Sequence, residues 1–114
     1  MIASLRGTLL SKSPTEILID VNGVGYAVSI PLSTYEKIGE VNSTVSLLTY
    51  LHVREDVLQL YGFATEEERN LFKLLISVSG IGPKMAQTVL SGIGTSDLVS
   101  YVSEGNHFAL TRIP

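Results

Sequence analysis

Two textures divide the chain. Through residue 63 the apolar residues fall in short runs broken by turn formers, and from Thr65 they recur at three- and four-residue spacing. The run Ile17-Leu18-Ile19-Asp20-Val21, then Asn22-Gly23, then Gly25-Tyr26-Ala27-Val28-Ser29-Ile30 predicts a hairpin, because Asn-Gly readily places two consecutive residues at positive φ. Pro31 closes its second strand. A longer run, Thr44 to Val53, meets Arg54-Glu55-Asp56 and resumes as Val57 to Phe63, which predicts a second hairpin with charge at its tip. With a strand over Ile2 to Leu10 and a short helical turn over Ser33 to Ile38, about five strands occupy these residues. That count suits a small closed barrel of the OB type better than a sandwich, which needs more strands.

The helical texture opens at Thr65-Glu66-Glu67-Glu68. A threonine followed three residues later by glutamate is a capping box, and acids favour the positive end of a helix dipole. Leu71, Leu74, Leu75 and Val78 then predict one apolar face on a helix over 66–78, ended by Gly80. A second helix starts at Pro83, carries Met85, Ala86, Val89 and Leu90 on one side, and stops at Gly92. A third is expected from Thr95 or Ser96 with Leu98, Val99 and Val102, and a short fourth from His107 to Arg112. The expected architecture is therefore α+β by domains: a five-stranded OB-fold barrel over 1–63, then an all-α domain over 64–114.

Composition narrows the function classes. Of 114 residues 45% are hydrophobic and 17% charged, which favours a packed globular protein over a disordered one. No apolar stretch approaches the ~20 residues needed to cross a bilayer, so no membrane association is expected. The opening residues lack the pattern of a secretory signal and there is no cysteine, so the chain reads as cytoplasmic, with thiol catalysis and cysteine metal sites excluded. The net charge of −3 divides as −2 over residues 1–63 and −1 over 64–114. A protein of this charge does not coat nucleic acid by bulk electrostatics, and any DNA contact must be local.

One segment offers such a contact. Gly80-Ile81-Gly82-Pro83-Lys84-Met85 joins two predicted helices by a Gly-x-Gly turn that permits close backbone approach and leaves the first N–H groups of the next helix pointing outward. With Lys84 beside them, these amides make an anion site without net positive charge. The competing reading is a plain helical hairpin whose glycines only make the turn. Gly92-Ile93-Gly94 has the same spacing, but there a helix end followed by the cap Thr95-Ser96-Asp97 is the commoner meaning. Gly23-Val24-Gly25 opens no helix and lacks a third glycine, so it does not predict dinucleotide binding.

Catalysis finds no foothold. Glu55 and Asp56 have no third acid or histidine nearby to complete an acid/base or metal site, and by their residues alone they are a solvated hairpin tip. His52 and His107 stand apart from each other and from any nucleophile pair. No Gly-x-Ser-x-Gly elbow and no Walker-type loop is present. No catalytic residue, metal or cofactor is expected.

The segment Leu75 to Leu90 resembles a helix-hairpin-helix DNA-binding motif. With Val53-Arg54-Glu55-Asp56, Leu60-Tyr61-Gly62-Phe63, Met1-Ile2, Leu5-Arg6-Gly7 and Gly23-Val24-Gly25-Tyr26, the whole chain resembles the RuvA family, the Holliday-junction-binding subunits of a bacterial branch-migration machine. The resemblance implies a non-catalytic, structure-specific DNA-binding subunit that recognises four-way junctions. Its role is to support branch migration by the RuvB motor in homologous recombination and DNA repair. It implies a homotetramer or octamer assembled through the barrel. It assigns Gly80, Ile81, Gly82, Lys84 and Met85 to DNA phosphates, and Glu55 and Asp56 to an acidic pin at the junction centre. Family members continue with a second helix-hairpin-helix and a RuvB-docking domain. Here Leu110-Thr111-Arg112-Ile113-Pro114 aligns with Leu75 to Ser79, so a fragment truncated in the second motif is expected, without RuvB docking of its own. The alternative is an OB-fold RNA-binding or protein-interaction module without junction specificity, and a structure-specific nuclease would need carboxylate clusters that are not visible.

Overall fold

A computed structural model describes residues 1–92. Five strands, β1 (Ser4–Lys12), β2 (Glu16–Val21), β3 (Val24–Ser29), β4 (Thr44–Val53) and β5 (Leu58–Phe63), close into a barrel in the order β1-β2-β3-β5-β4. The expected OB-fold barrel is what the chain forms. β1 starts and ends two residues later than its apolar run suggested, and a bulge between Leu9 and Ser11 shifts its register on β2.

Alternation along each strand sends Leu5, Leu9, Ile17, Ile19, Val28, Ile30, Val45, Leu47 and Leu60 inward to form the core. Burying an aliphatic side chain contributes about 1.5–3 kcal/mol, so this layer is the main source of barrel stability. The β2–β3 hairpin turns at Asn22 (φ 53°) and Gly23 (φ 90°), two consecutive positive φ values, with Val21 opposite Val24. The barrel closes by a parallel seam of β3 on β5 that pairs only Val28 with Leu60 and Ser29 with Tyr61. Gly62 lies beside that seam because a Cβ there would sit 2.6 Å from Val28 Cγ1 and 3.0 Å from Leu47 Cδ1.

Two helices frame the passage out of the barrel. Helix α1 (Leu32–Lys37) follows Pro31 and places Thr34 in the interior, and α2 (Glu66–Ile76) starts at the predicted capping box. Thr65 Oγ1 accepts from the Glu68 N–H at 3.2 Å, and Glu68 Oε1 accepts from the Thr65 N–H at 3.0 Å. The chain separates into two compact units, residues 1–69 and 70–114, so the division falls inside α2. In the second unit α2 continues to Ile76, a turn follows, and α3 spans Pro83–Gly92.

The buried face of α2 differs from the expected one. Glu68, Leu71, Phe72 and Leu75 are buried while Leu74 is 47% exposed, because positions 68, 71, 72 and 75 share a helical stripe and 74 lies off it. The helix also stops two residues short of Val78, its end tightened by bonds from the Val78 N–H to Leu75 and from the Ser77 N–H to Lys73 and Leu74. On α3, Ala86, Val89 and Leu90 are buried as expected, but Met85 is 38% exposed. The expected helices after residue 94, the Gly92-Ile93-Gly94 turn, His107 and the truncated second motif lie outside the described residues.

Candidate nucleic-acid interface

The turn between α2 and α3 is built locally. Gly80 takes φ 90°, a conformation that glycine adopts without steric cost, and the next residue swings back so that the Ile81 N–H donates to the Val78 carbonyl at 3.1 Å. The Ile81 side chain is 4% exposed and anchors the turn from below. Of the five residues expected to meet phosphate, Ile81 thus has both its side chain and its amide engaged inside the fold. Gly80, Gly82, Lys84 and Met85 are exposed.

Helix α3 begins with its donors uncovered. The first helical bond runs from the Ala86 N–H to the Gly82 carbonyl at 2.9 Å, and Pro83 has no N–H. Among the described residues, the N–H groups of Gly82, Lys84 and Met85 have no backbone or side-chain acceptor. No acidic residue stands in the first turn of α3, and Gly82 at the cap position has no side chain to fold over the amides. Gly82 does not have positive φ, and a Cβ there would meet nothing within 4 Å. The fold therefore does not require glycine at 82; its absent side chain leaves the amides approachable. With the Lys84 ammonium alongside, the arrangement can bind an oxyanion by backbone donors, helix dipole and one cation.

The acidic pair lies at the opposite kind of structure, the tip of the β4–β5 hairpin. Arg54 and Val57 exchange backbone bonds, Arg54 N–H to Val57 at 2.8 Å and Val57 N–H to Arg54 at 3.4 Å, which leaves Glu55 and Asp56 as a two-residue loop. Both are exposed and neither has positive φ. Being on a turn rather than an extended strand, they are released from the alternation that would point them to opposite faces. Among the described residues, no group of three or more His, Asp or Glu is placed to hold a metal. No described helix is long and apolar enough to cross a membrane.

Sequence reasoning missed the most deeply buried acid. Glu68, read as part of an acidic helix start, has its side chain 1% exposed; it accepts from Ser33, from Thr34 Oγ1 at 3.1 Å and from Thr65 Oγ1 at 2.9 Å, and pairs with Lys37 at 3.5 Å. Burial alone would push its pKa up, but the hydrogen bonds from Ser33, Thr65 and Thr34 and the Lys37 charge outweigh that and hold it below the usual carboxylate range. The available signal was the spacing Ser33-Thr34 to Lys37 on a short helix, which supplies two hydroxyls and a cation. Its role is to fix the start of α2.

Comparison with known proteins gives the family. Residues 1–62 match the family described as RuvA N terminal domain, and residues 72–114 match the SAM-like helix-hairpin-helix tandem. The chain belongs to the RuvA family. Among its relatives is the Holliday junction branch migration complex subunit RuvA of Chloroherpeton thalassium, 53% identical over 111 residues, covering 97% of this chain and 56% of that protein. The RuvA subunit of Geobacter sulfurreducens is 54% identical over 114 residues, covering 100% of this chain and 57% of the relative. That of Solibacter usitatus is 48% identical, with 100% and 58% covered. The chain thus spans little more than half the length of the RuvA proteins it matches. Nothing in these comparisons supports the alternative of an RNA-binding or protein-interaction module without junction specificity.

Proposed function

We propose that the chain is the junction-binding portion of a RuvA subunit: it grips four-way DNA by the backbone and performs no chemistry itself. The observation that carries this reading is the uncovered start of α3, where three free amides, an absent side chain at Gly82 and the Lys84 cation face outward together. Phosphate contacts of this kind position DNA without reading its bases, as a subunit that must act on junctions of any sequence requires. Gly80, Gly82, Lys84 and Met85 face the backbone, and Ile81 holds the turn in shape.

Glu55 and Asp56 serve as the acidic pin. A negative pair cannot attract DNA, so it acts by penalising the wrong partner: it disfavours continuous duplex and spreads the arms at the junction centre. In this reading residues 1–63 assemble four copies, or eight, and carry the pin, while residues 64–114 carry the DNA grip. In this reading the RuvB ATPase is the motor of the cytoplasmic branch-migration complex.

The test compares four-way DNA, duplex, single-stranded DNA and RNA at fixed salt, together with the mass of the species in solution. The chain is expected to prefer four-way DNA. The double variant Glu55→Gln/Asp56→Asn is expected to bind duplex more tightly and lose much of that preference. An unchanged ratio of the two affinities makes the tip an ordinary solvated turn.

A further inference from the structure

One peptide at the surface of the barrel carries a reaction of its own. Of the chain's asparagines, Asn22, Asn42, Asn70 and Asn106, only Asn22 precedes a glycine. Asn22 and Gly23 are exposed at the tip of the β2–β3 hairpin, and a Cβ on Gly23 would meet nothing within 4 Å. The Gly23 nitrogen therefore has no side chain beside it to hinder its attack on the Asn22 side-chain amide. That attack balances with water as the sole co-reactant. The Gly23 nitrogen gives up its proton to solvent base and bonds to Asn22 Cγ, and the Cγ–Nδ2 bond breaks as that nitrogen takes up a proton and leaves as ammonia. Water then opens the cyclic imide at either carbonyl, which leaves aspartate, or isoaspartate with the backbone running through the former side chain.

The fold opposes this reaction at its first atom. In the planar peptide the new bond forms along the direction of the N–H bond, because Cγ takes the place of the hydrogen. In the folded chain that direction is occupied: the Gly23 N–H donates to Asp20 Oδ1 at 3.0 Å. A hydrogen bond to a carboxylate favours the protonated amide, and the carboxylate charge disfavours the amide anion that attacks. Asp20 is held in place by its backbone, which pairs with Thr8 on β1 and Gly25 on β3. Since Ile17 and Ile19 point into the core, alternation puts the Asp20 side chain on the outer face, beside the turn. Turning the N–H from Asp20 toward Asn22 Cγ breaks this bond and rotates a peptide whose flanking φ values, 53° and 90°, the two-residue turn fixes.

We infer that Asn22-Gly23 is a site of spontaneous deamidation that the fold holds back through Asp20, so that loss of ammonia marks chains that are unfolded or have lost this contact. The mark has a structural consequence. Isoaspartate lengthens the backbone of the turn by a methylene, so the closure of Val21 on Val24 no longer fits, and β2 and β3 lose the register that brings Ile17, Ile19 and Val28 into the core. The aspartate product keeps the turn and adds a negative charge near Asp20. Asn42 is the contrast within the same barrel. It is exposed and has φ 76°, but the next residue is Ser43, whose side chain crowds the nucleophile and whose N–H donates to the Glu40 carbonyl at 3.1 Å. Nothing in this chemistry depends on the DNA-binding reading.

The test incubates the 114-residue chain, its Asp20→Ala and Asp20→Asn variants, and the wild-type chain unfolded in urea, all in warm neutral buffer. Mass spectrometry of proteolytic fragments follows conversion at Asn22 and Asn42 and separates isoaspartate from aspartate, while amide NMR reports whether each barrel is folded. Asn22 is expected to convert about tenfold or more slowly in the folded wild type than in urea. Asp20→Ala, which removes both charge and acceptor, is expected to raise the Asn22 rate about tenfold or more in the folded barrel. Asp20→Asn keeps an acceptor and gives a smaller rise, and Asn42 keeps its wild-type rate in both variants. Equal Asn22 rates in folded and unfolded wild type overturn the inference. An Asp20→Ala rate equal to wild type also overturns it and makes Asp20 only a brace of the turn. So does a parallel rise at Asn42, since a loosened fold is then the cause. If Asp20→Ala fails to fold, Asp20→Asn decides: a rise confined to Asn22 supports the inference, and an unchanged rate overturns it.

Discussion

Helices α2 and α3 begin in opposite ways. α2 meets the problem of unpaired first-turn amides from within: Thr65 caps, Glu68 reaches back, and Glu66 and Glu67 stand against the dipole. α3 meets it with nothing: Gly82 has no side chain, Pro83 removes one donor, no acid stands in the first turn, and Lys84 adds positive charge. The start of α2 is complete without a ligand, whereas that of α3 leaves the amides of Gly82, Lys84 and Met85 uncovered, which is what the proposed phosphate grip rests on. The same contrast separates the two hairpin tips. Asn22-Gly23 is what the backbone demands at two consecutive positive φ values; Glu55-Asp56 occupies a turn with no such demand, so the fold does not require those residues there.

The comparison is broken most sharply at Glu68. Glu68→Ala removes the acceptor for Ser33, Thr34, Thr65 and Lys37 together, and a loss of about 3 kcal/mol in denaturant-induced unfolding is expected, while Glu66→Ala on the same turn leaves the midpoint nearly unchanged. The wild-type chain carries a matching pH dependence. Because Glu68 is held below its ordinary pKa, its contribution is fully present above the usual carboxylate range and is lost as pH falls through the lower folded-state value. Glu68→Gln is expected to flatten the acid limb of the stability curve.

Giving α3 the cap it lacks sharpens the contrast. Gly82→Asp fits sterically, since a Cβ meets nothing within 4 Å and φ is not positive. It is expected to leave stability equal or higher by a few tenths of a kcal/mol and to weaken binding of every DNA form by about tenfold or more. A variant that folds and binds DNA as before shows that the helix start is not the grip.

Smaller effects follow at the turns. Gly23→Ala puts a Cβ at φ 90° and is expected to cost about 1 kcal/mol, whereas Glu55→Gln/Asp56→Asn leaves the unfolding midpoint in place and changes only DNA preference. Smallest is Lys84→Ala: affinity falls modestly, and the slope of log affinity against log salt falls by about one phosphate contact. An unchanged slope takes Lys84 out of the interface.

Much of this was legible in the sequence because its causes are local. Asn22-Gly23, the Thr65–Glu68 box, Pro83 after Gly80 and the alternation of β2 and β3 each act within a few residues, so a short window contains the whole physical reason. The candidate grip was legible for the same cause, since amides at a helix start depend only on the residues beside them. What the linear sequence left open was decided by residues that meet from far apart. Glu68 reads as one more surface acid until Ser33 and Thr34, over thirty positions away, close around it. Leu74 reads as core and Phe72 as incidental until the packed face of α2 selects between two overlapping stripes. Gly62 carries no signal until Val28 and Leu47 crowd its missing side chain, and the short parallel seam of β3 on β5 appears in no run of residues. Local turn and cap chemistry is written residue by residue, but burial and closure are properties of surfaces that exist only after distant strands and helices have come together.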